Sequence, residues 1–213
     1  MENERLKKRM CKWSIVCGIM ALVFYILHDL IGGLYYPDYE WMKQAVSDLT
    51  ALDAPSYQIA GVFSHVYGIF SCICWSLLCI RAYELNKTLK LGIYLFSLMN
   101  AISAIGYAAF PLSSAGYDGS FSSFMHTYVV TTAVVLLSII SLILIAIGSF
   151  KDQHKTYGTL ALICLACMFF GAMGTALFPK EVFGIIERFS TYAAVVFTAV
   201  SGIYAGKTVC EVI

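Results

Sequence analysis

Six stretches of about twenty largely apolar residues, separated by short polar breaks, constrain this chain more than any other feature, because a helix needs about that length to cross a hydrocarbon core. Inside lipid every backbone N–H and C=O must be satisfied within the protein, so such stretches can only be helices. They fall near 13–35, 57–82, 90–110, 122–149, 157–178 and 184–206. Composition agrees: 60% of the residues are hydrophobic and 13% charged, whereas soluble domains carry about twice that charge. The predicted fold is therefore an all-α polytopic membrane protein, a six-helix bundle. It comprises a basic N-terminus (1–12), one membrane domain (13–206) and a short C-terminus (207–213). The first span resembles a signal peptide in following a basic segment, but its apolar run is too long and no small-residue cleavage site follows it. A net charge of +1 leaves no basic surface for nucleic acid.

Sidedness follows from the basic residues, which are retained on the cytoplasmic face. With the N-terminus inside, eleven of the fourteen fall on the inner side: Arg5, Lys7, Lys8, Arg9, Lys12, Arg81, Lys87, Lys90, Lys151, Lys155 and Lys207. Lys43, Lys180 and Arg188 fall outside. The expectation is a multi-pass protein of the plasma membrane with both termini cytoplasmic. Cys11 and Cys210 are then cytoplasmic and the other six cysteines lie within spans, which predicts no disulfide.

The hairpins echo one another. Span three ends Gly106-Tyr107-Ala108-Ala109-Phe110-Pro111 and span five ends Gly174-Thr175-Ala176-Leu177-Phe178-Pro179, both G-x-x-x-F-P, while span one closes more loosely with Gly33-Leu34-Tyr35-Tyr36-Pro37. The returning spans carry His65-Val66-Tyr67, His126-Thr127-Tyr128 and Ser190-Thr191-Tyr192. Repeated parallel hairpins would produce this pattern. The first outer loop, 36–56, reads as a short amphipathic interfacial helix; alternatively Ser47-Asp48 caps a turn and Pro55 opens the second span.

Ionisable side chains inside a bilayer are costly and mark sites by default. His28, Asp29, His65, His126, Glu187 and Arg188 all lie in the outer half, beneath Asp48 of the loop. The sharp reading places Zn²⁺ on His28, His65 and His126, with Asp29 or Asp48 as base and a metal-bound water attacking a lipid ester or amide. No two histidines are spaced i,i+4, however, and no H-E-x-x-H occurs. The plainer reading makes the histidines interhelical hydrogen-bonding groups. Glu187 and Arg188 point about 100° apart on a helix, so each needs another partner; Asp48, Asp118 or a lipid phosphate suits Arg188. Asn100, Ser103 and Gly106, and likewise Gly171 and Gly174, form small-residue stripes for close helix approach, and mid-membrane Asn100 must find a partner. His154 reads as a solvated inner-loop residue.

Val46-Ser47-Asp48-Leu49, the stretch from Phe110-Pro111 to Phe124-Met125-His126-Thr127, and Gly184-Ile185-Ile186-Glu187-Arg188 together resemble the bacterial membrane family called domain of unknown function 998. The loop after Pro111 departs from that family's Asp- and Pro-rich loop. The resemblance implies six helices and carries no established activity. A fainter similarity in residue types, through Ser64, Asp48, His28, His65 and His126, links the chain to the membrane hydrolases that include alkaline ceramidases and adiponectin receptors. Those proteins have seven helices and a paired His-x-x-x-His, and this chain has neither.

The leading expectation is a protein that binds or handles a membrane lipid or other amphipathic small molecule at the outer leaflet, beneath an aromatic rim of Tyr35, Tyr36, Tyr39, Trp41, Phe110 and Phe178. The enzyme alternative uses the same residues with zinc. A transporter would need polar residues continuing inward from Asn100 and Ser103, where the sequence is apolar.

Overall fold

The computed structural model describes residues 2–210 and the side chains of 4–206, so Met1 and residues 211–213 of the C-terminal segment lie outside the described residues. Six long helices carry the chain: α1 Glu2–Leu34, α2 Tyr57–Arg81, α3 Lys87–Ala109, α4 Phe121–Lys151, α5 Lys155–Leu177 and α6 Phe183–Cys210. All six are long and apolar enough to span a membrane. The basic N-terminal segment is the start of α1 rather than a separate element. Its Lys and Arg are good helix formers and Glu4 suits the positive end of the helix dipole.

Each helix packs on its sequence neighbours, and α6 returns to pack on α1, so the bundle is a closed ring with α2 also touching α6. The ring has two ends. The loops 35–56, 111–120 and 178–182 form the cap end, placed outside by the sequence reading, and the basic end carries the N-terminus.

The G-x-x-x-F-P echo is a shared helix stop. Phe110 N–H donates to Gly106 O and Phe178 N–H to Gly174 O, each at 2.9 Å, before proline ends the helix. Both glycines also admit the returning helix, since an added Cβ would collide with Val130 at Gly106 and with Ile186 at Gly174.

Toward the basic end the interior is a stack of rings. Trp75 lies 4.4 Å from Phe96 between centroids, Phe96 5.4 Å from Phe197, and Tyr157 5.6 Å from Phe197 with planes 10° apart. Their polar atoms are served locally: Trp75 Nε1 donates to Thr198 Oγ1 at 3.0 Å, and Tyr157 OH pairs with Ser201 Oγ at 2.8 Å. Mid-bundle, Asn100 is buried; Ser71 Oγ donates to its Oδ1 at 2.5 Å and its Nδ2 donates to Phe96 O at 2.8 Å. His154 is not merely solvated, because its Nδ1 pairs with Tyr204 OH at 3.2 Å. No disulfide occurs among the described residues.

Candidate functional site

Loop 35–56 is a folded cap, not an amphipathic helix lying in the interface. Apolar Val46 and Leu49 are buried inward in a short 3₁₀ turn, Val46–Thr50, while Trp41, Met42 and Leu52 of the same loop stay exposed. Asp48 organises the turn: its Oδ2 accepts from Ala45 N–H and its Oδ1 accepts from Gly116 N–H of the α3–α4 loop, both at 3.1 Å. Burial raises the Asp48 pKa, and those N–H groups and the charge of Arg188 oppose the rise. A second tie joins the loops where Leu52 N–H donates to Leu112 O at 2.9 Å.

Arg188 holds the cap to the bundle. Its guanidinium grips Asp29 of α1 bidentately, Nε to Oδ2 at 2.9 Å and Nη2 to Oδ1 at 2.7 Å, with side-chain exposures of 4% and 1% for the pair. Nη2 also donates to Tyr39 OH at 2.9 Å, and Nη1 reaches the carbonyls of Trp41, Gly184 and Gln44 at 2.9, 2.9 and 3.1 Å. All five N–H donors of the fork therefore have acceptors within the protein. The Trp41 ring lies 4.4 Å from the guanidinium carbon, and Trp41 Nε1 and Tyr192 OH complete the shell of Asp29 Oδ2 at 3.3 and 2.9 Å. Gly184 makes the approach possible, because a Cβ there would collide with the carbonyls of Gln44 and Trp41. The partner of Arg188 is thus Asp29, not Asp48, Asp118 or a lipid phosphate.

Glu187 turns the other way. One carboxylate oxygen, Oε2, accepts from Val46 N–H at 2.9 Å, and Glu187 forms no ion pair among the described residues. Tyr25, Tyr39 and Tyr107 are within electrostatic range of it.

The histidines separate. His28 is buried with Nδ1 3.0 Å from Ala60 O, and His126 is buried with Nδ1 2.8 Å from Phe110 O. His65 is exposed on α2. Among the described residues no group of three or more His, Cys, Asp or Glu is gathered to hold a metal ion. His126 sits in a π-helical segment of α4, Met125–Val130, where Thr131 Oγ1 donates to the His126 carbonyl at 2.8 Å and the Tyr107 ring lies 4.6 Å from the imidazole. Such widened turns are frequent at functional positions.

A family model described as "Protein of unknown function (DUF998)" matches residues 19–204. The chain belongs to this family. Searches of curated proteins and of solved structures found no significant match. The match takes in Asp29, the whole cap, both G-x-x-x-F-P stops and the Glu187-Arg188 pair.

The site holds two tyrosines that the sequence reading did not single out. Tyr25 is four residues before Asp29 and Tyr192 four after Arg188, so each shares a helix face with its charged neighbour. Their rings meet edge-on at 5.2 Å, and Tyr67 lies 5.0 Å from Tyr25. That i,i+4 spacing was the available signal.

Proposed function

We propose that this DUF998 protein is a membrane-embedded binding protein for a lipid or other amphipathic small molecule whose head carries a positive charge, bound from the outer leaflet beneath the cap. One observation carries the reading: Glu187 is a partly buried carboxylate with a single backbone donor and no counter-ion among the described residues. Around it Asp29, Asp48 and Arg188 give three acids, Glu187 included, to one base. Arg188 makes its ion pair with Asp29, so a ligand cation is the missing ion-pair partner for Glu187. Neighbouring Tyr25, Tyr39 and Tyr107 are of the residue type whose rings attract alkylammonium groups. The asymmetry of basic residues supports cytoplasmic termini and a plasma-membrane location.

Thermal unfolding of the purified chain in neutral detergent tests this. An alkyltrimethylammonium should raise the melting temperature of the wild type more than an alkyl glucoside of equal chain length, and Glu187→Gln should abolish the difference. Equal effects of the two amphiphiles, or an unchanged response in Glu187→Gln, would overturn the reading. The zinc alternative is decided on the same preparation by elemental analysis: it requires about one Zn²⁺ per chain, lost when His28, His65 and His126 are replaced together.

A further inference from the structure

At the opposite end of the bundle, α1 and α2 line a groove of about 400 Å³. Met10, Trp13 and Cys17 of α1 form one wall, and Phe70, Ile73 and Leu77 of α2 the other. Trp13 is 57% exposed and Ile73 43%, so the groove opens sideways from the bundle and is not sealed within it. Hydrocarbon is the solvent at this depth, and a furrow left unfilled would forfeit dispersion contacts along both walls, so an acyl chain is the occupant that the surroundings supply.

The headgroup is set by what stands at the mouth. Arg9 lines the groove's end together with Leu6. Arg5 and Lys12, four residues before and three after Arg9, project from the same flank of α1. Lys7, by contrast, is engaged 3.6 Å from Glu84. Arg5, Arg9 and Lys12 are exposed and enter no ion pair among the described residues. Trp13, one turn deeper than Arg9, has the residue type that favours the boundary between headgroups and chains.

We propose that this groove is a site for an anionic phospholipid of the leaflet at the basic end, one acyl chain lying between α1 and α2 and the phosphate held by Arg9 with Arg5 and Lys12. That leaflet is the cytoplasmic one in the orientation proposed above. The site shares no residue with the cap end, so either assignment can fail alone. Trp13 is the built-in reporter, because Trp75 is fully buried and the contribution of Trp41, 44% exposed at the cap end, is common to the wild type and to variants at Arg5 and Arg9.

The test is tryptophan quenching of the full-length wild type in phosphatidylcholine vesicles containing a minor share of brominated phosphatidylglycerol or, separately, brominated phosphatidylcholine. Quenching should be several-fold stronger with the brominated phosphatidylglycerol, and Arg5→Gln/Arg9→Gln should bring the two lipids level. Ile73→Trp, which fills the groove and leaves the charge unchanged, should reduce the phosphatidylglycerol molecules retained per chain in native mass spectrometry, while Lys151→Gln should leave retention unaltered. Equal quenching by both lipids in the wild type overturns the proposal without recourse to any variant. So does phosphatidylglycerol retention that survives both Arg5→Gln/Arg9→Gln and Ile73→Trp, or a dimer that dissociates in Ile73→Trp, which would make a second copy the occupant.

Discussion

At the cap end one side chain, Arg188, ties α6 to α1 and to three points of the cap through charged hydrogen bonds, whereas in the ring stack toward the basic end the polar atoms of Trp75 and Tyr157 are each served by a single hydroxyl. The difference lies in how loss propagates. Ring packing is distributed, so removing one ring leaves a cavity whose cost depends on local collapse. A saturated guanidinium is concentrated: deleting it leaves the Asp29 carboxylate without its counter-ion, held only by Trp41 Nε1 and Tyr192 OH, and takes a donor from the Trp41 and Gln44 carbonyls and from Tyr39 OH together.

The sharpest way to break this contrast is Arg188→Ala. Removing one partner of a buried ion pair costs about 3–5 kcal/mol, and melting of the purified protein in detergent should fall accordingly. Limited proteolysis should then cut first within residues 35–56. Arg188→Lys should recover only part of the loss, because an ammonium keeps the charge without the fork that meets Asp29 and the cap carbonyls at once. Retention of wild-type melting in Arg188→Ala would show that the cap is held by its apolar contacts alone.

The matching change in the ring stack is smaller. Trp75→Phe removes the bond to Thr198 and part of a ring that is fully buried, for about 2 kcal/mol, but Thr198 Oγ1 still donates to Ala194 O at 3.1 Å, so no buried polar atom is stranded there. Proteolysis within 35–56 should stay at the wild-type rate. Smaller again is Asn86→Ala at the start of α3, where the side chain accepts from Leu89 N–H at 3.0 Å; losing that cap should cost about 1 kcal/mol. Its Nδ2 also donates to Gly148 O at 2.8 Å, so a double variant with Trp75→Phe should add simply if the basic end is distributed as described.

The same contrast explains what the sequence could and could not reveal. Spans were legible because length and apolarity are local properties, and the helix stops at Phe110-Pro111 and Phe178-Pro179 because their chemistry lies within six residues. Depth was legible too: His28, Asp29, Asp48, Glu187 and Arg188 were all assigned to one end. Direction around the helix was not. His65 and His126 share the outer half and a Tyr two residues on, yet one is exposed and the other is buried against Phe110 O. The partner of Arg188 lies 159 residues away on a helix brought alongside only by closure of the ring, and most of its remaining acceptors are backbone carbonyls, which residue identity does not announce.

The smallest effect concerns the cap's own carboxylate. Burial holds the Asp48 pKa above its ordinary value in the folded protein, whereas the unfolded chain keeps the ordinary one. The folded state therefore binds the proton more tightly, and this group contributes stability that grows as pH falls from the raised value toward the ordinary one and is lost as pH rises through that window. Asp29, bonded to Arg188, is a separate acid, so the two are resolved by replacing Asp48 alone. Asp48→Asn should remove the component of the acid-range melting profile that rises on acidification, while one of the two N–H partners, Ala45 or Gly116, loses its acceptor to the new amide group. The variant should thus melt slightly lower near neutral pH and show a steeper net decline toward acid than the wild type. A wild-type profile in Asp48→Asn would show that the link between the two cap loops does not titrate with this residue, and would shift the pH sensitivity of the cap to Arg188 and its partners.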